Sequence, residues 1–285
     1  MSSEPGADRT AAATRGRRRP GLDVVLPSAV LAVVVAMALV PQAFTTGDPQ
    51  RCELSRSLDG PSAGHLFGFS LLGCDYWTDT VHAARASVAI AALTVVGTVA
   101  VAVVLGSLAG FCRGWVDLLV SRVTDVWASL PLLLGAIVVL SGLQVRGILV
   151  LSAVLVLFGW PAMVRLQRAT VLQVASRDHV LAARALGASP ARVLLRHVLP
   201  GALRPLLAYA SAYAGLVVGV EATLTYVGIG LQQPTLSWGL LLLQAQDRLA
   251  QAPHLLLPAG LLLLAVGSLV LLGQALQRRT AELAR

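Results

Sequence analysis

Six long apolar runs constrain this chain more than any other feature of its sequence. Each is close to or longer than the roughly 20 residues that an α-helix needs to cross about 30 Å of hydrocarbon. Of the 285 residues, 56% are hydrophobic and only 13% are charged, too few to cover the surface of a soluble domain. We therefore predict an all-α polytopic membrane protein with about six transmembrane helices. The runs are Leu22–Phe44, Ser87–Phe111, Leu118–Leu143, Gly147–Leu166, Ala202–Val220 and His254–Leu276.

The distribution of arginine predicts how the chain is oriented in the membrane. All 22 basic residues are arginine, and with the N-terminus inside, 17 of them lie on that side and 5 on the other. This positive-inside bias predicts that both termini are cytoplasmic. It also accounts for the formal net charge of +8. We therefore predict a membrane protein in contact with lipid, and not a nucleic-acid-binding protein.

The apolar runs divide the chain into four parts. Residues 1–21 are predicted to form a disordered cytoplasmic tail. Residues 22–44 are predicted to form a first transmembrane helix, a retained anchor because its apolar run is longer than that of a cleaved signal peptide. Residues 45–85 then form an extracytoplasmic segment. Residues 86–285 form a core of five helices, with a cytoplasmic loop over residues 166–200.

This cytoplasmic loop has the pattern of two surface helices joined by a turn. Val180–Leu186 is compatible with a helix that Gly187 ends, since glycine readily adopts the left-handed conformation. Ser189 can cap the next helix, with Pro190 in its first turn. That helix carries two arginines one turn apart, Arg192 and Arg196. From the residues alone, a basic amphipathic loop resting on anionic headgroups is an equally good interpretation.

The spacing within the loop resembles the cytoplasmic signature of the ABC importer permeases. That signature is Glu-Ala-Ala, three residues, Gly, nine residues and an ending of apolar-x-Leu-Pro. Here Ala182-Ala183 and Gly187 fall at the same spacing, and Leu199-Pro200 closes the stretch. Leu181 replaces the usual Glu and His197 stands at the nominal apolar position. By this resemblance, the missing carboxylate at Leu181 bears on one polar contact with the ATPase and not on the loop itself.

Further motifs extend the resemblance from about His65 to the C-terminus. The residues around Arg184 are similar to the peptide and nickel branch of the family, and specifically to its DppC/OppC-type subunit. The stretch from Glu221 to Pro234 matches that branch in nearly every position. The residues at family-motif positions are Asp75, Asp117, Arg122, Asp125, Glu221, Gly228 and Trp238.

The resemblance implies a type I ABC importer permease fold in the bacterial inner membrane. It also implies a channel-forming subunit that couples ATPase closure to alternating access. The implied partners are a second homologous permease, two P-loop ATPase subunits or domains, and an extracytoplasmic substrate-binding protein. The implied cargo is di- or oligopeptides, with nickel chelates or haem as alternatives in the same family. The implied ATPase-coupling residues are Ala182, Ala183, Arg184, Gly187, Ser189, Arg192 and Arg196.

No catalytic activity is expected of this chain. It contains no Gly-x-x-x-x-Gly-Lys-Ser/Thr phosphate loop and no lysine to serve one, so ATP and Mg²⁺ are expected on the partner ATPases. No nucleophile–base pair stands out, and no metal site or cofactor is expected. A self-sufficient secondary transporter is the alternative class. It would need charged residues within the membrane, and apart from helix-end groups such as Asp125 and Glu221 these are missing.

Two of the three cysteines lie in the predicted extracytoplasmic segment. Cys52 and Cys74 share an oxidising compartment, which favours a disulfide over two reduced thiols. Cys112 is predicted at the opposite membrane face. Closing a loop of this size contributes ~3 kcal/mol of stability in the chain-entropy model.

Overall fold

A computed structural model describes residues 21–49 and 51–284, and the regular elements within those ranges are helical. The α-helices are α1 (Leu22–Leu39), α2 (Tyr76–Val101), α3 (Ser107–Cys112), α4 (Gly114–Ala128), α5 (Leu132–Gly142), α6 (Ile148–Ala175), α7 (Asp178–Ala185), α8 (Pro190–Arg192), α9 (Leu199–Tyr226), α10 (Trp238–Ala245) and α11 (Leu257–Ala284). Two π-helical turns, Ala102–Gly106 and Val193–Val198, join α2 to α3 and α8 to α9. The predicted tail over residues 1–21 lies almost wholly outside the described residues.

Five stretches of the described residues are long and apolar enough to cross a membrane, and a sixth span results if α4 and α5 count as one. The five are Leu22–Leu39, Tyr76–Cys112, Ile148–Ala175, Pro190–Tyr226 and Pro253–Thr280. The predicted all-α polytopic architecture with about six transmembrane helices is thereby confirmed.

Several helices extend well beyond the apolar runs that predicted them. The helix predicted to begin at Ser87 begins at Tyr76, and α6 continues to Ala175 where the run ended at Leu166. At 1.5 Å per residue, the 37 residues of Tyr76–Cys112 span about 55 Å, more than the ~30 Å of hydrocarbon. Hydropathy marks the part of a helix that lies in hydrocarbon, whereas its backbone hydrogen bonds continue into the polar region.

The structure does not contain the single helix that the third apolar run, Leu118–Leu143, predicts. The run forms two helices, α4 and α5, whose axes differ by 78° across a short break. Pro131 stands at the N-cap of α5. Proline has no backbone N–H and disfavours the helical conformation of the residue before it, so a straight helix cannot pass through this position unperturbed.

The long helices pack into one bundle with two differently built ends. α9 packs along α11, and α2 packs against both α6 and α9. One end carries residues 45–75, called the disulfide segment below. The other carries residues 176–198, called the basic loop below, which follow α6 and lead into α9.

Candidate functional site

The first helix of the basic loop, α7, ends in a tight turn at Gly187. Gly187 has a φ of +80°, a left-handed conformation that residues with a side chain rarely adopt. Its N–H donates to the carbonyl of Arg184 at 3.0 Å, and the N–H of Ala188 donates to the carbonyl of Ala183 at 3.1 Å. This pair of hydrogen bonds is the Schellman arrangement that closes a helix C-terminus. The turn predicted at Gly187 is therefore present, for the predicted stereochemical reason.

The second helix of the basic loop differs from the prediction. Ser189 occupies the N-cap position before Pro190, but its side chain makes no capping hydrogen bond. Its carbonyl accepts from the N–H of Val193 at 2.9 Å. From Pro190 the chain stays helical through the π-helical turn and into the span that ends at Tyr226. The predicted separate surface helix is thus the first part of a transmembrane helix that continues through α9.

An apolar cluster holds the basic loop against the end of the bundle. Val180 of α7 and Val193 and Val198 of the π-helical turn are fully buried. They pack with residues of α6 and α9, namely Val171, Val174, Ala175 and Ala202. Burying side chains of this size contributes roughly 1.5–3 kcal/mol each. Apolar burial therefore positions α7 and fixes which face of the loop is turned outward.

The outward face of the basic loop exposes both leucines and arginines. Leu186 is 88% exposed, and Leu195 and Leu181 are also exposed. Of the predicted coupling residues, Ala182, Arg184, Gly187, Ser189, Arg192 and Arg196 are exposed and Ala183 is half-buried. The guanidinium of Arg184 lies 5.2 Å from the centre of the Phe111 ring, within cation–π range. Exposed leucines among arginines form a surface suited to an apolar groove with acidic edges.

Two arginine–aspartate pairs connect α4 to α6 on the same side of the molecule. Arg168 binds the carboxylate of Asp117 in a two-pronged contact, with its Nη2 2.7 Å from Oδ2. Arg165 Nη2 lies 3.0 Å from Asp125 Oδ1, and both side chains of that pair are more than half exposed. The sequence motifs indicated the two aspartates but not their partners. Arg122, also at a family-motif position, is exposed on α4.

The carboxylate of Glu221 is buried in a polar network near the opposite end of the bundle. It accepts hydrogen bonds from the hydroxyls of Ser87 at 3.2 Å and Thr225 at 3.0 Å. The backbone N–H of Trp238 reaches Ser87 Oγ at 3.4 Å, and its indole N–H donates to the carbonyl of Thr80 at 3.0 Å. This network joins α2, α9 and α10. Sequence reasoning singled out Glu221 and Trp238 but missed Ser87 and Thr225.

Gly228 lies in the turn that follows α9. Its φ is +85°, and its N–H donates to the carbonyl of Thr225 at 2.9 Å. The turn directs the chain back toward the bundle, where α10 packs against α9. Gly228 therefore shapes the connection between α9 and α10.

The disulfide segment lies at the same end as Glu221. Cys52 and Cys74 form a disulfide with 4.1 Å between their Cα atoms, and the N–H of Glu53 donates to the carbonyl of Gly73 beside it. The carboxylate of Asp75 lies 3.6 Å from Nδ1 of His65. Cys112 is a free, exposed thiol at the other end, where α3 finishes. Within residues 21–49 and 51–284 no three His, Cys, Asp or Glu side chains converge as a metal site.

Comparisons with known proteins place this architecture in a family. Residues 102–282 match the family described as binding-protein-dependent transport system inner membrane component. The chain belongs to this family. The matched region runs from the π-helical turn after α2 almost to the end of α11, and so contains the basic loop and both arginine–aspartate pairs.

Individual relatives cover nearly the whole chain. The dipeptide transport system permease protein DppC of Alkalihalophilus pseudofirmus is 30% identical over 89% of this chain and 82% of its own length. The glutathione transport system permease protein GsiD of Pectobacterium atrosepticum is 30% identical over 86% of this chain and 82% of its own length. The oligopeptide transport system permease protein OppC of Bacillus subtilis is 29% identical over 87% of this chain and 81% of its own length.

Family membership confirms the resemblance inferred from the motifs. As a binding-protein-dependent permease, this chain is a multi-pass membrane subunit of an ABC importer and depends on partner proteins for ATP hydrolysis. Its membership also agrees with the sequence, which contains no lysine for a phosphate loop. The basic loop is therefore a candidate docking surface of a permease and not part of a catalytic centre.

Proposed function

We propose that this permease subunit imports di- or oligopeptides through a channel formed with a second homologous permease. One of two P-loop ATPase subunits or domains, which hold ATP and Mg²⁺, docks on the basic loop, and an extracytoplasmic binding protein delivers the cargo. The names of the relatives support this cargo, since they are permeases of dipeptide, oligopeptide and glutathione systems. Both termini and the basic loop face the cytoplasm, in keeping with the arginine distribution.

One observation carries the proposed coupling. The exposed Leu186 surface sits on a turn held by buried valines, and the chain continues helically from Pro190 to Tyr226. A force applied to the loop by ATPase closure is transmitted along that helix, because packed helices move as rigid bodies. The ATPase contributes the chemical energy, and this chain contributes the lever and part of the pathway.

Transport in proteoliposomes tests the proposal. The chain is copurified with its partner permease, ATPases and binding protein, and uptake of radiolabelled Ala-Ala is measured with Mg-ATP on the side of the basic loop. We expect accumulation that requires both ATP and the binding protein and that stops when EDTA removes Mg²⁺. Uptake of a nickel chelate or haem in place of any peptide would contradict the proposed cargo. Uptake without the ATPases would contradict the proposed coupling.

The natural thiol of Cys112 tests the proposed orientation without new mutations. It is free and exposed at the end that carries the basic loop. A membrane-impermeant maleimide is therefore expected to label Cys112 in inside-out vesicles and not in intact spheroplasts. Labelling in spheroplasts alone would reverse the assigned topology.

A further inference from the structure

A cavity of about 270 Å³ lies between the disulfide segment and the chain that leads into α10. The Cys52–Cys74 disulfide and Ser70 line one side, and Gln233, Leu236 and Gln244 line the other. Gln233 and Cys52 are exposed, so the cavity opens at the surface of the molecule. It lies apart from the basic loop, at the opposite end of the bundle.

A buried carboxylate with an unpartnered oxygen lines this cavity. Asp79, in the first turn of α2, is only 4% exposed, and its Oδ1 has no hydrogen-bond partner. Among the ion pairs of the described residues, none includes Asp79. A buried carboxylate oxygen that lacks a hydrogen-bond partner is costly, and a cationic ligand would offset that cost. The start of a helix also favours a negative charge at this position.

The other wall residues restrict the class of cation. A metal ion would need further charged or soft ligands, and Asp79 is the one carboxylate in the lining. The side-chain amides of Gln233 and Gln244 can bond a peptide unit, and Leu72 and Leu236 provide apolar surface. A ligand that carries an ammonium group next to an apolar side chain and a peptide unit would match this lining. The amino-terminal residue of a peptide is such a ligand. A lysine side chain would satisfy the carboxylate but leave the amide groups without a partner.

We propose that this cavity binds the amino-terminal residue of a peptide, with Asp79 accepting the α-ammonium group. The proposal rests on the proposed function, since it identifies a subsite for the same cargo. Gln244 would hold the first peptide unit, and the apolar wall would receive the first side chain. The permease then contributes its own recognition of the amino terminus, in addition to selection by the binding protein.

Direct binding of a dipeptide tests this subsite. The permease–ATPase complex is placed in nanodiscs without its binding protein, and equilibrium dialysis measures binding of radiolabelled Ala-Ala and of N-acetyl-Ala-Ala. We expect saturable binding of Ala-Ala and at least ~10-fold weaker binding of the acetylated peptide, because acetylation removes the positive charge. This comparison uses the unaltered protein and so does not depend on the folding of any variant. Equal binding of the two peptides, or no binding, would overturn the proposal.

Variants then assign the effect to the carboxylate. Asp79→Asn keeps the shape of the side chain and is expected to weaken Ala-Ala binding ~10-fold, with no change for the acetylated peptide. Asp59→Asn, at an exposed acid of the disulfide segment, is the matched control and is expected to bind as the unaltered protein does. Equal affinities in all three proteins would contradict a role for Asp79.

Two further outcomes separate this subsite from the proposed function. If proteoliposomes with the binding protein accumulate Ala-Ala while the nanodiscs bind none, peptide import stands and the subsite is refuted. If Asp79→Asn instead weakens capture of the binding protein while free Ala-Ala never binds, the cavity receives a cationic side chain of that protein, which also refutes the peptide subsite. Absence of peptide accumulation in the proteoliposomes would refute the proposed function itself.

Discussion

The disulfide segment and the basic loop lie at opposite ends of the bundle and are held in place by different means. A covalent link, Cys52–Cys74, closes the disulfide segment, and polar contacts such as Tyr76 Oη to the carbonyl of Leu255 at 3.0 Å tie its end to the bundle. The basic loop has no cross-link and is positioned by buried valines such as Val180. A segment closed covalently keeps its shape when its surroundings move. A loop held by apolar burial can instead move as one body with α9 and leave its outer face for a partner.

The largest expected effect is in the disulfide segment, at Gly73. Its φ is +72°, and a Cβ there would lie 1.9 Å from the carbonyl oxygen of Glu53. We expect Gly73→Ala to destabilise the segment by ~3 kcal/mol or more, because backbone must move in addition to the strain at positive φ. The fraction of linked Cys52–Cys74, measured by non-reducing thiol mapping, is expected to fall.

Gly64→Ala is the matched control for this substitution. Gly64 also has a positive φ, +89°, but a Cβ there would meet no atom within 4 Å. Only the conformational strain remains, so a loss of about 1 kcal/mol is expected. Similar losses in both variants would show that the contact with Glu53 is not the cause.

Removing the disulfide is expected to have the next largest effect. The bond joins residues separated by 22 positions, and Cys52→Ser should destabilise the disulfide segment by about 3 kcal/mol by releasing chain entropy in the unfolded state. Limited proteolysis during a urea titration measures the change, and reductant should reproduce it in the unaltered protein. Cys112→Ser, which removes the free thiol, should leave the midpoint unchanged. A lower urea midpoint in Cys112→Ser as well would show that the loss of stability is general and not specific to the disulfide.

A charge on the outer face of the basic loop should affect transport and not folding. Leu186 is 88% exposed, so Leu186→Asp removes little buried surface. We expect ATP-dependent uptake to fall ~10-fold, equivalent to about 1.4 kcal/mol, because an apolar contact with the ATPase is replaced by a charge. Leu54→Asp, at a 73% exposed leucine of the disulfide segment, should leave uptake unchanged. Equal effects at the two leucines would contradict the assignment of the docking surface.

The smallest expected effect compares one cation–π contact from each region. The guanidinium carbon of Arg56 lies 3.9 Å from the centre of the Phe69 ring. The guanidinium carbon of Arg184 lies 5.2 Å from the centre of the Phe111 ring. Arg56→Gln should therefore destabilise the protein by about 0.5–1 kcal/mol, and Arg184→Gln by less. Double-mutant cycles with Phe69→Leu and Phe111→Leu measure the two interaction energies. A larger interaction energy at Arg184 than at Arg56 would contradict the expected order of the two contacts.

Much of the architecture could be predicted because it depends on local composition. A run near 20 apolar residues can avoid unsatisfied backbone groups in hydrocarbon only as a helix, so the runs predicted the spans. The turn at Gly187 was equally local, since a positive φ selects glycine. Pro131 marks a kink before α5 in the sequence, but it does not specify the 78° angle between α4 and α5. Proline is tolerated in many transmembrane helices, such as α6 with its internal Pro161, and the neighbouring packing decides whether the chain bends.

The sequence by itself determined the membrane class, the approximate number of spans, the family and the position of the basic loop, because each depends on composition or on spacing along the chain. Only the tertiary structure decided the partners of the charged groups. Arg168 reaches Asp117 across 51 positions, and Ser87 reaches Glu221 across 134. The unpartnered Oδ1 of Asp79 is of the same kind, since the groups packed around the side chain decide whether that oxygen finds a partner. Such pairings follow from how helices dock against one another, and helical periodicity places a side chain on a face without specifying what that face will meet.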